Sequence, residues 1–167
     1  MKICAPIPLI IALLLCGCAT TETPHVSKEP LREVTLLRMG CLGTCPVYQV
    51  TIRSDGSVVY EGRLNVAVKG TQKKKIDPAS FDLVWAKLEE INFWNLQERY
   101  DHMVETLPDG TQGTWVSYDS PQKWITAIDG ERQKRVLDAF GAPKGLAELE
   151  TLIDSIAGTS AWIQNKK

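Results

Sequence analysis

The chain has 167 residues, of which 44% are hydrophobic and 23% charged, with 19 basic against 20 acidic side chains and a formal net charge of −1. A length and composition in this range fit one globular domain. The near-neutral balance argues against nucleic acid as a partner, because binding phosphates requires a strongly basic face.

Lys2 and the amino terminus form a short positive region, followed by an apolar run from Ile7 to Leu15 broken only by Pro8. The run is too short to span a bilayer, which takes about 20 residues, but it fits the apolar core of a signal peptide. Leu15-Cys16-Gly17-Cys18 comes next. This segment resembles the lipobox of bacterial lipoproteins, with Cys16 in a slot normally held by a small residue. The resemblance implies cleavage after residue 17 and lipid on Cys18, whose thiolate suits the reaction. That covalent lipid is the only cofactor expected, and membrane lipid is the first expected partner. One acyl chain anchors weakly and two or more anchor stably. Ala19 follows, where Asp would favour inner-membrane retention. By the same resemblance, the expected location is the cell envelope, lipid-anchored at the outer membrane and facing the periplasm.

Residues 18–30 read as the lipidated cysteine and a flexible tether, since 19–30 carry too little apolar surface to offset chain entropy. His25 has no expected role there. A single domain is expected over 31–163, with a polar tail at 164–167. Val34 to Met39 predicts a strand. Val47 to Arg53 alternates, with Tyr48, Val50 and Ile52 on one face, and Asp55-Gly56 supplies a tight turn to a return strand over 57–61. Leu64, Val66 and Val68 suggest a third strand ending near Gly70, and Lys73 to Ile76 a fourth. Lys73-Lys74-Lys75 suits a guarded sheet edge. Asp77-Pro78 opens a helix as N-cap and first residue, and Phe81, Val84, Trp85, Leu88 and Ile91 form its apolar stripe.

Residues 97–114 read as a long polar connection carrying the turn signal Pro108-Asp109-Gly110. Asp119 with Pro121 reads as a side-chain turn. Lys123 to Ile128 predicts a strand, Asp129-Gly130 a turn, and Glu131 to Phe140 the return. Gly141-Ala142-Pro143 then starts a helix with Leu146, Leu149, Leu152, Ile153 and Ile156 as its stripe. The expected fold is α+β: an antiparallel sheet of hairpins with two helices on one face, in an order of strands then helix that recurs.

With Cys4 and Cys16 in the signal segment and Cys18 lipidated, Cys41 and Cys45 remain. They stand in Gly40-Cys41-Leu42-Gly43-Thr44-Cys45-Pro46-Val47-Tyr48. This segment, with Tyr60-Glu61-Gly62 after it, resembles the Gly-Cys-x-Gly-x-Cys-Pro-x-Tyr pattern of a bacterial family of domains of unknown function, numbered 6438. Asp119-Ser120-Pro121, Asp129-Gly130, Gly141-Ala142-Pro143 and Ala157-Gly158 ahead of Trp162 look similar too. The resemblance covers about 33–163 and implies the fold outline but no activity.

Three readings of the cysteine pair stand side by side. An oxidising envelope favours a structural disulfide, with Gly43 letting the loop turn tightly. Cys-x₃-Cys-Pro also resembles the copper motif of Sco-type copper chaperones, in which a distant His completes the site. Thiolates select Cu(I), and His102 is the candidate third ligand. Those chaperones, however, run from the motif into a helix, whereas Val47 to Arg53 alternates as a strand. A redox-active dithiol is the third reading, weakened by the same missing helix. No catalytic residue is assigned, because the hydrolase, zinc-protease, P-loop and dinucleotide signatures are absent. The expected function is a non-catalytic binding or structural lipoprotein of the envelope, with an envelope protein as partner. The alternative is a copper- or thiol-handling protein using Cys41 and Cys45.

Overall fold

A computed structural model describes residues 30–164. The expected signal segment, Cys18, most of the tether and the last three residues lie outside the described residues.

Four strands come first: β1 (Glu33–Arg38), β2 (Val47–Arg53), β3 (Ser57–Leu64) and β4 (Gly70–Lys75). Helix α1 (Pro78–Glu90) follows, then a 3₁₀ turn at Phe93–Asn95. The second half contains β5 (Arg99–Thr106), β6 (Gln112–Val116), β7 (Lys123–Asp129) and β8 (Arg132–Phe140), then α2 (Lys144–Ala157) and the short α3 (Ser160–Ile163). The eight strands form one sheet in the order β4-β3-β2-β1-β7-β8-β5-β6. All pairings are antiparallel except β5 with β8. The fold is thus α+β, as the alternation predicts.

Strand periodicity fixes which residues meet the helices. Val34 and Leu36 lie opposite Ile52 and Val50 on one side and Ala127 and Ile125 on the other. All six are fully buried and share a core with Phe81, Val84 and Leu88 of α1 and Leu146, Leu149 and Ile153 of α2. Asp77 caps α1, its carboxylate accepting from Ala79 N–H at 3.0 Å, with Pro78 at the first helical position. The β2–β3 turn has Gly56 at φ 77°, and any Cβ there would strike the Ile76 carbonyl oxygen. β4 forms one edge of the sheet, with Lys73, Lys74 and Lys75 along it, the placement that discourages strand addition.

Two expectations are corrected. Leu64, Val66 and Val68 do not form a strand of their own. Leu64 ends β3, and Asn65 at φ 54° turns the chain out of the extended region. The backbone N–H groups of Ala67 and Val68 donate instead to the carbonyls of Ile163 and Trp162, at 3.1 and 2.9 Å. The segment is therefore clamped to α3 rather than to the sheet. The long polar connection is also structured: residues 97–114 hold β5 and most of β6, joined through the Pro108-Asp109-Gly110 turn. Both halves run four strands then a helix. The first is a consecutive meander, however, and the second consists of two hairpins joined in parallel.

Gly62 sits where this segment crosses β3. A Cβ there would overlap the Val68 carbonyl oxygen and crowd the Tyr60 hydroxyl, 2.8 Å away. Gly62→Ala should cost about 1–3 kcal/mol through forced displacement in a packed region. Gly40→Ala meets only Val47 at 3.6 Å and should stay within about 0.5 kcal/mol of wild type. Urea denaturation of both variants checks this; equal stability of the two would contradict the clamp.

Candidate functional site

At the ends of four adjacent strands, the row of helix-facing positions changes from apolar to charged. Tyr48 of β2 lies opposite Arg38 of β1, Arg38 opposite Lys123 of β7, and Lys123 opposite Asp138 of β8. Helix α2 lowers Glu150 and Asp154, one turn apart, onto this row. Asp154 accepts from the Tyr48 hydroxyl at 2.7 Å, from Arg38 Nε at 2.9 Å and from the Thr159 hydroxyl at 2.9 Å. Lys123 Nζ donates to Asp138 at 2.8 Å and lies 3.3 Å from Glu150, with Arg38 3.4 Å from the same carboxylate.

The cluster holds two cations and three carboxylates. Glu150, only 3% exposed, is pushed up to about 7, first by burial and then by the neighbouring Asp138 carboxylate, while Lys123 and Arg38 pull the other way. Among the described residues its Oε1 is buried without a partner. Burial and Asp154 together raise the Tyr48 phenol well above its ordinary range, so it serves as a neutral donor.

Directly beyond this row lie two loops. Residues 39–46 join β1 to β2, and the Cys41 and Cys45 sulfurs there stand at disulfide distance with Cα atoms 5.7 Å apart. The loop turns tightly enough to bring the two Cα atoms within disulfide range, and Gly43 does so without a positive φ. Residues 117–122 lead into β7. The loops are tied by Met39 N–H to the Gln122 carbonyl at 2.9 Å and by Leu42 N–H to the Asp119 carboxylate at 3.2 Å. Asp119 thus reaches the cysteine loop, far along the chain, instead of closing only a local turn.

Three large apolar side chains stand out on their surface. Leu42 is 86% exposed, Tyr118 94% and Met39 40%. Beside them opens a crevice of about 250 Å³, walled by Met39, Cys45, Pro46, Tyr48 and Pro121 with the stems of Arg38 and Lys123.

A family model, Domain of unknown function (DUF6438), matches residues 32–157, well over half of the chain. The chain belongs to that family. The match spans the whole sheet, both long helices, the cysteine loop and the charged row, so these are parts of the DUF6438 domain. It stops before Gly158 and Trp162. No curated protein matches the sequence.

Of the residues singled out in the sequence, Cys41, Cys45 and Asp119 come together in this DUF6438 domain. His102 does not join them. It lies on β5, Nδ1 2.8 Å from Asp101, in a groove that borders the cysteine loop only through Tyr118, Ser120 and Gln122. Among the described residues no three His, Cys, Asp or Glu side chains converge as a metal site. Cys18 lies outside the described residues. Arg38, Lys123, Asp138, Glu150 and Asp154 were not singled out. Their signal was present: Glu150 falls on the apolar stripe of α2, between Leu149 and Ile153.

Glu150 yields a pH prediction. Between its ordinary 4.5 and about 7, the folded protein keeps a proton that the unfolded chain has released. Stability therefore falls as pH rises through that window. Glu150→Gln removes the titration, so the variant should gain on wild type from pH 5 to pH 8, by about 1–3 kcal/mol at the upper end. Urea denaturation at both pH values measures this. A wild-type–variant difference independent of pH would contradict the assignment.

Proposed function

We propose that the chain is a lipid-anchored binding module of the cell envelope. Cys18 carries the lipid, the domain faces the periplasm from the outer membrane, and an apolar segment of an envelope protein docks at the cysteine loop. The observation that carries this reading is the exposed apolar set Met39, Leu42 and Tyr118 on the two loops, with Met39 also walling a crevice of about 250 Å³. Exposed apolar side chains gathered beside a concave, apolar-walled feature mark interaction sites more often than chance exposure does. Rigidity supports the same reading. The loop is closed by Cys41–Cys45, tied to its neighbour by two hydrogen bonds and seated on the charged row. A surface ordered beforehand loses less entropy on binding.

Two measurements on the mature chain test this. Alkylation with intact-mass readout should show no modification of Cys41 or Cys45 until a reductant is added. Two free thiols carrying copper in a native mass spectrum would replace the binding reading with metal handling. Photo-crosslinking side chains at positions 42 and 118 should give a discrete adduct in cells. One at position 83, exposed on α1, should not. Adducts at all three positions, or at none, would contradict the assigned surface.

A further inference from the structure

A different chemistry lines the open edge of β8, which begins at the opposite end of the same strands. β8 pairs with β7 from Arg132 to Asp138 but meets β5 only from Leu137 onward, where Leu137 N–H donates to the Glu98 carbonyl at 2.9 Å. Arg132 to Val136 therefore lie along an open edge. Arg132, Lys134 and Arg135 border a groove of about 630 Å³ there, between Trp94 and Trp124. The Arg132 guanidinium stands 3.5 Å from the Trp94 ring centre, and that of Arg135 4.1 Å from Trp124. Stacked on an indole face, a guanidinium keeps its in-plane N–H donors free for an oxyanion. Among the described residues, none of these three cations has a carboxylate within 4 Å, whereas Arg99 at the groove's far end is paired with Asp101. Glu98 is the carboxylate lining the groove. Asp129 and Glu131 lie in the adjoining turn, so the groove, rather than the whole corner, is the positive feature.

The chain enters the domain at this corner. β1 begins with Glu33 opposite Ile128, and Pro30 packs beside Gly130, 3.6 Å from where a Cβ would stand. Residues before Pro30 thus join the domain next to the β7–β8 turn, two residues from Arg132. Only eleven residues separate Cys18 from Pro30, a reach of at most about 40 Å. With lipid on Cys18, this corner is held within a short tether of the phospholipid headgroups.

We infer that the domain docks on an anionic phospholipid surface through Arg132, Lys134 and Arg135, with Trp94 at the headgroup level. The choice of a lipid surface rests on the anchor reading above; the positive groove does not. Cations near an anionic leaflet each strengthen binding by about fivefold, and Trp suits the membrane interface. Docked in this way, β1 runs from the membrane at Glu33 toward the periplasm at Arg38. The cysteine loop is then presented away from the bilayer, where a partner reaches it.

The test uses the mature chain with Cys18→Ser, so that no lipid contributes. Its sedimentation with phosphatidylcholine vesicles is compared with that on vesicles containing phosphatidylglycerol. Binding is expected on the anionic vesicles only and should weaken at about 0.5 M salt. Arg132→Glu/Lys134→Glu/Arg135→Glu should lower it by more than about tenfold with an unchanged melting temperature; the corresponding Gln variants replace it should it fail to fold. Charge reversal of Lys73, Lys74 and Lys75 on the far edge should leave binding intact. Absence of binding, equal binding to both vesicles, or equal loss in both lysine and groove variants would overturn the inference. The anchor is read separately, by whether the full chain fractionates with membranes and Cys18→Ser does not.

Discussion

Everything at one end of the molecule depends on burying charge between α2 and the sheet. Arg38, Lys123 and Asp138 occupy cross-strand neighbouring positions, and Glu150 and Asp154 descend on them from one face of α2. Buried ion clusters stabilise weakly because desolvation opposes attraction, yet removing one member leaves an uncompensated charge. The expected effect of this cluster is therefore on register. Sliding any of these strands by one residue would turn its charged group to the other face, and rotating α2 would remove both carboxylates. Burial first, and then the excess of three carboxylates over two cations, push Glu150 up to about 7: with that proton bound, the buried charge balances.

The charged row sets the direction of the whole domain. Arg38 is the last residue of β1, Lys123 the first of β7 and Tyr48 the second of β2, so at these positions the chain leaves the sheet into the cysteine loop and the loop at 117–122. At the other end of β1 and β7 lie the chain entry at Pro30 and the Arg132 end of the basic groove, which runs along β8 to Trp124. One sheet thus sets the chain entry apart from the cysteine loop by the length of a strand. In the proposed function, that separation lets the domain meet its membrane and its partner at the same time.

The sequence made much of this legible where one face is buried and the other is not. β2 read correctly because Tyr48-Val50-Ile52 alternates with polar neighbours, β7 because a short apolar run stops at the Asp129-Gly130 turn, and α1 because Asp77-Pro78 caps a clear apolar stripe. β5 and β6 were missed for the converse reason. Much of this hairpin stands clear of the core, with Met103, Val104, Trp115 and Val116 all exposed, so no alternation marks it and only the Pro108-Asp109-Gly110 turn betrays it. Val66 and Val68 gave a false strand because alternation records burial, not the partner of the backbone. The candidate site was half visible. Cys41 and Cys45 are conspicuous, but the five charged residues beneath them come from four separate elements, β1, β7, β8 and α2, and are brought together only by the fold. Glu150 within an apolar stripe was the one local sign.

The charged row lies directly beneath the cysteine-loop surface and supports it. Hydrogen exchange on wild type and Asp154→Asn tests that support most directly, because Asp154 contacts Arg38, Tyr48 and Thr159 but neither loop. If the row supports the loops, the variant should lose protection at the Met39 and Leu42 amides while β3 and β4 exchange as before. Unchanged protection at both amides in a variant whose α2 has loosened would show that the loops hold themselves, and would contradict the account.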